Sequence, residues 1–115
     1  MRYCYDRTNA LAAYLDDAGN FFDLRLEWRA FAYAGGVWST GNRGWLGTLR
    51  AGNVYDPAGR LLLWSDAPNL APGAATARPP VPPRPPRPAR PIRPPARPAP
   101  VPPAVAYWSN LKWNP

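Results

Sequence analysis

One three-residue pattern occurs four times in the first half of the chain: an apolar residue, an aromatic, then Asp or Ser. The copies are Cys4-Tyr5-Asp6, Phe21-Phe22-Asp23, Val37-Trp38-Ser39 and Val54-Tyr55-Asp56, with the aromatics 17, 16 and 17 residues apart. After each copy comes a polar stretch ("DRTN", "DLRLE", "STGNRG", "DPAG"), then a second apolar run ("LAAYL", "AFAYA", "WLGTL", "LLLW"). A further turn follows ("DDAGN", "GG", "RAGN", "SDAPN"). Each unit therefore reads as strand, turn, strand. Asp or Ser opens the turn because its side chain can bond the backbone two residues on, and Gly or Asn supplies positive-φ positions. Asp56-Pro57-Ala58-Gly59 suits a type I turn. The runs carry the Tyr, Trp, Phe, Val and Leu of half-buried strands. The one stretch that rivals this reading with a helix is "FFDLRLEWRAFAY", Phe21 to Tyr33. The second and third units deviate, the second lacking a Gly in its turn, so the fourfold symmetry is expected to be approximate there.

A single hairpin cannot shelter its own apolar face. Four can, if they surround a common axis and turn their aromatics inward, which is repeat logic in closed form. The expected architecture is all-β: four tandem β-hairpin repeats around a pseudo-fourfold axis, at about residues 3–19, 20–35, 36–52 and 53–67. A Pro/Arg-rich linker of the polyproline II type, residues 68–103, and a short C-terminal aromatic docking tail, residues 104–115, complete the chain. A domain of residues 1–67 is small enough that its core needs supplementing, by a docked segment, a partner or a ligand.

Residues 68–103 hold 16 of the 18 prolines. Arg78, Arg84, Arg87, Arg90, Arg93 and Arg97 lie there too and account for nearly all of the net charge of +7. The triplets RPP, VPP, RPP, RPA, RPI, RPP match the three-residue turn of polyproline II and would place arginines about 9 Å apart on one edge. Extended, residues 78–103 would reach roughly 80 Å, so the segment must wrap the domain, bend or project. Tyr107, Trp108, Leu111 and Trp113 then form an aromatic tail that is costly to leave in water. It is expected to dock on its own domain, on a second copy or on another protein.

With these features assembled, the chain resembles the bacterial 4-fold beta flower domain proteins. The likeness rests on the four anchors at hairpin spacing, the Pro/Arg-rich stretch after them, and the closing "YWSNLKW", similar to a Trp-Ser-x-Leu-x-Trp ending. The resemblance implies a small all-β domain of four hairpins about a pseudo-fourfold axis. It implies no enzyme activity, cofactor or catalytic residue.

Several function classes are disfavoured by the residues themselves. There is no histidine, so imidazole-based catalytic and metal sites are absent. Cys4, the only cysteine, reads as packing and can form no internal disulfide. Asp6, Asp23, Ser39 and Asp56 read as turn initiators, with a ring-shaped cation site as the alternative under fourfold symmetry. "AGG" and "RGWLG" do not make a phosphate loop. Tyr14, Phe22, Tyr33, Trp38, Trp45, Tyr55 and Trp64 are expected mainly in the core, a minority lining a groove for a proline-rich peptide, the chain's own linker first.

The interaction candidates are Arg84, Arg87, Arg90, Arg93 and Arg97 with Tyr107, Trp108, Leu111 and Trp113. The reading they support is a non-enzymatic interaction or structural module, whose strap carries the Trp-bearing tail to a docking site. The partner is a protein of unknown identity or a second copy, and no cofactor is expected. Overlapping P-x-x-P-x-R runs also suit grooves of the SH3 type. The alternative is polyanion binding, to nucleic acid or an anionic membrane, by the Arg-Pro segment. The start has no apolar leader segment and no run spans a membrane, so a cytoplasmic location is expected. The preference for Arg over Lys is that of a GC-rich bacterial genome.

Overall fold

The computed structural model describes residues 1–41, 44–65, 78–83, 85–92 and 107–115. Among them there are eight strands and no helix: β1 Arg2–Tyr5, β2 Leu11–Leu15, β3 Asn20–Phe22, β4 Trp28–Tyr33, β5 Gly36–Ser39, β6 Trp45–Arg50, β7 Asn53–Tyr55 and β8 Leu61–Leu63. Each pairs antiparallel with the next in chain order. The two ends of the sheet meet where the Tyr5 and Trp64 amides donate to each other's carbonyls at 2.8 and 2.9 Å. The result is a nearly closed, barrel-like sheet built as four hairpins. The stretch from Phe21 to Tyr33 is β3, a turn and β4, with Phe21 paired to Ala30.

The anchor aspartates build one recurring turn. In the first, the Asp6 amide donates to the Ala10 carbonyl and the Asn9 amide to the Asp6 carbonyl, each at 3.0 Å. One Asp6 carboxylate oxygen accepts from the Thr8 and Ala10 amides at 2.9 and 3.1 Å. Asp23 repeats the pattern with Arg25 and Glu27, and Asp56 with Arg60. The fourth residue of each turn is left-handed: Asn9, Leu26 and Gly59 have φ of 64°, 64° and 87°. The second unit thus keeps the turn without a glycine. Leu26 accepts a backbone cost of about 1–2 kcal/mol, and its side chain is buried beside Phe22, which offsets that cost. Ser39 opens the third turn, its amide donating to the Gly44 carbonyl at 2.8 Å and its hydroxyl accepting from Gly41. Asn42 and Arg43 lie outside the described residues.

At the opposite end the links are shorter. Ala34-Gly35 and Ala51-Gly52 are two-residue connections with both φ positive, the backbone that matches strand twist. Asp16 builds the remaining link with the aspartate turn used elsewhere. The pseudo-fourfold symmetry is therefore strongest at the Asp/Ser end.

The core corrects one expectation. The residues that line the axis are those preceding the anchor aromatics: Cys4, Phe21, Val37 and Val54 are each 0% exposed. They form one cluster with Ala13, Leu15, Ala30 and Leu63, drawn from strands all around the sheet. Strand alternation then sends Tyr5, Phe22 and Tyr55 to the other face. There they are buried in a second cluster with Tyr3, Tyr14, Leu61 and Trp64. The reason is volume. Eight strands leave an interior just wide enough for side chains, and four aromatic rings together would overfill it.

Candidate functional site

The Asp/Ser end of the sheet is where the C-terminal tail sits. β1 ends at Tyr5, so the edge of β8 is open at its first residue. The tail takes that edge: the Leu61 amide donates to the Tyr107 carbonyl at 2.9 Å, and the Ser109 amide to the Leu61 carbonyl at 2.8 Å. Together they form a parallel bridge between Leu61 and Trp108. Tyr107 and Trp108 pack against the outer aromatic cluster.

Ser109 then turns inward and is 1% exposed. Its hydroxyl donates to the free oxygen of the Asp56 carboxylate at 2.5 Å and accepts from the Leu111 amide at 3.0 Å. Asp56 is thereby both turn initiator and tail receptor, and is only 5% exposed. Arg7 of the first turn donates to the Ser109 carbonyl at 3.4 Å. Trp113 packs on the axial cluster, its ring 5.2 Å from that of Phe21. The Pro115 carbonyl accepts from the Ser39 hydroxyl at 2.8 Å. The tail thus crosses from the fourth turn past the first to the third, and Trp113 adds its ring to the axial cluster beside Phe21.

Of the candidate tail residues, Tyr107, Trp108 and Trp113 are brought together with the domain, while Leu111 is 58% exposed. Ser109 and Asp56 carry the joint and were not singled out from the sequence as a pair. The only signal was a small hydroxyl residue held between two tryptophans.

The described residues of the Pro/Arg segment meet the third and second hairpins. The Arg78 guanidinium stands 5.9 Å from the Trp38 ring centroid, and Pro79 lies beside Gly36, 3.6 Å from where a side chain there would begin. Further on, Arg90 donates to the Arg25 carbonyl at 2.7 Å. Arg87 and Pro88 join Phe22, Leu26 and Trp28 around a hollow of about 140 Å³. Arg78 and Arg90 therefore face their own domain, and among the described residues this segment meets the aromatics Trp38, Phe22 and Trp28. Tyr33, expected in the core, is half exposed. Arg84, Arg93 and Arg97, with the part of the proposed polyproline run that follows Ile92, lie outside the described residues.

Among the described residues the anchor aspartates are not gathered into a ring. Asp6, Asp23 and Asp56 each aim one oxygen at their own turn amides, and among the described residues no three Asp, Glu, Cys or His converge to hold an ion. Burial pushes the Cys4 thiol up to about 12, against a small opposing pull from Arg2. It therefore remains a neutral core side chain rather than a thiolate nucleophile.

The sequence profile of the 4-fold beta flower protein family matches residues 2–115. The chain belongs to that family. The match takes in the four hairpins, the Pro/Arg segment and the docked tail, so the tail lies within the family unit. No curated protein and no solved structure matches the chain. Among the described residues no helix is long and apolar enough to cross a membrane.

Proposed function

We propose that this flower protein is a non-enzymatic interaction or structural module, in which the Arg-Pro strap returns a Trp-bearing tail to a receptor slot on the hairpin ring. The observation that supports this reading most directly is the tail joint at Leu61, Asp56 and Phe21. It has the elements of strand-addition recognition: backbone bonds give affinity, and pockets for alternate side chains give specificity. Proteins that hold a segment this way present a composite surface, part domain and part tail. The partner we infer is a protein that reads that composite surface.

The test is a pull-down with the intact chain, with residues 104–115 removed, and with Trp113→Ala, each checked for folding. A partner retained by the intact chain and lost from folded Trp113→Ala supports the module. A chain whose bound material is nucleic acid or anionic vesicles, held at about 0.15 M salt and released when residues 78–97 are deleted, would instead be a polyanion binder. The engagement of Arg78 and Arg90 by the domain favours the first outcome.

A further inference from the structure

We infer that the cleft between the first hairpin's turn and the docked tail is a binding site for a small organic anion carrying a flat ring. The cleft measures about 480 Å³, within the range of small-molecule sites. It is lined by Arg7, Thr8, Ala12 and Leu62 of the domain and by Lys112 and Trp113 of the tail. It exists only because the tail is docked, so the site goes beyond the module reading while depending on the tail joint.

The charge balance selects the ligand. Two cations line the cleft, Arg7 from the first turn and the chain's only lysine, Lys112, from the tail. Among the described residues Arg7 makes one hydrogen bond, the long one to the Ser109 carbonyl at 3.4 Å. Most of its five donors remain for a ligand. Asp6 is the acid at the rim, and one of its oxygens is tied by the Thr8 amide and hydroxyl at 2.9 and 2.6 Å and by the Ala10 amide at 3.1 Å. Two cations against one carboxylate leave the lining with a positive excess. The apolar demand comes from Trp113, which meets Phe21 and also lines the cleft beside Ala12 and Leu62. A carboxylate or a phosphate meets the two cations equally well. A planar ring meets the tryptophan, with ring contact worth about 0.5–1.5 kcal/mol beyond the area buried.

The experiment is a titration of the isotope-labelled full chain, followed by amide and indole NMR. The probes are benzoate and phenyl phosphate, with benzyl alcohol and inorganic phosphate as controls. The expected result is saturable shifts at Arg7, Thr8, Lys112 and the Trp113 indole, with a dissociation constant at or below about 1 mM for at least one anion. Benzyl alcohol and inorganic phosphate should each bind about tenfold more weakly. Arg7→Gln and Lys112→Gln, both at exposed positions, should each weaken binding about tenfold with the spectrum otherwise intact. Benzoate affinity without phenyl phosphate affinity, or the reverse, tells carboxylate from phosphate. The proposal is overturned if neither anion saturates below about 10 mM, if both glutamine variants bind as the parent does, or if inorganic phosphate binds as tightly as phenyl phosphate. Protection of the Leu61 amide, measured on the same samples, reports the tail joint separately. If it is high and no anion binds, the cleft proposal falls and the module reading stands.

Discussion

Ser109→Ala tests whether the tail is held by the joint described above. The substitution deletes the hydroxyl that donates to the Asp56 carboxylate at 2.5 Å and accepts from Leu111 at 3.0 Å. A hydrogen bond to a charged group contributes about 1.5–3 kcal/mol net, and a buried carboxylate oxygen left without its donor adds a desolvation cost of similar size. The Asp56 turn survives, because its other oxygen still accepts from the Arg60 amide at 2.8 Å. The loss should therefore fall on docking, since release of the tail lets the carboxylate recover water. Taking about 2 kcal/mol, the docking equilibrium drops roughly 30-fold. The Leu61 amide reads this directly, because its acceptor is the Tyr107 carbonyl. Native-state hydrogen exchange should show protection at Leu61 and at position 109 falling about 30-fold, with Tyr5 and Trp64 unchanged. Those last two bond each other across the closing seam and do not involve the tail. Equal loss at all four amides would mean the tail does not open separately from the sheet. Unchanged protection at Leu61 would mean the Ser109–Asp56 bond does not hold it. Either result refutes the reasoning.

Two further predictions concern the hairpin ring. Gly47→Ala should cost about 3–5 kcal/mol: a side chain there would fall on the Tyr55 carbonyl oxygen and lie 3.0 Å from its carbon, at a φ of 153°. At about 4–8 °C per kcal/mol for a domain this small, thermal unfolding followed by circular dichroism should show a drop of at least about 12 °C. Gly35→Ala, with nothing within 4 Å, should cost only the left-handed backbone cost of about 1–2 kcal/mol, and equal melting of the two variants would refute the close approach. The second prediction is a pH dependence. The folded state holds the Cys4 proton more tightly than the unfolded chain, its pKa moving from 9.0 to about 12. Its contribution is therefore complete below about pH 9 and declines as pH rises toward about 12. The urea-stability difference between the parent and Cys4→Ala should shrink from about pH 8 to about pH 11, and a constant difference would show that Cys4 does not titrate in this way.

The local chemistry of the hairpins was legible because each turn carries its own cause. Asp6 and Asp23 accept from amides two and four residues on, and Asp56 from the amide four on, and an interaction of that range is written in the sequence beside it. Leu26 shows the limit of such reading. The missing glycine in "DLRLE" argues for a distorted second hairpin, yet the turn is kept, because burial of the leucine beside Phe22 outweighs a local preference that no neighbour in the sequence reveals. The choice of inner face was lost for a similar reason. Alternation places Cys4 opposite Tyr5 and Val54 opposite Tyr55, but which set lines the axis depends on the width of the closed sheet, a property of eight strands together. Tail docking was foreseeable from two tryptophans and a small core, and its address was not. Asp56 looks identical to Asp6 and Asp23 in sequence. It becomes the receptor because β1 ends at Tyr5 and leaves the edge of β8 open at Leu61, four residues beyond the Asp56–Pro57 step. The pseudo-fourfold ring thus makes four similar turns, and the single seam where its ends meet decides which of them takes the tail. A fourfold-symmetric sheet with no seam would offer no such edge. The asymmetry of the docked tail therefore originates in incomplete closure rather than in any difference among the anchor aspartates.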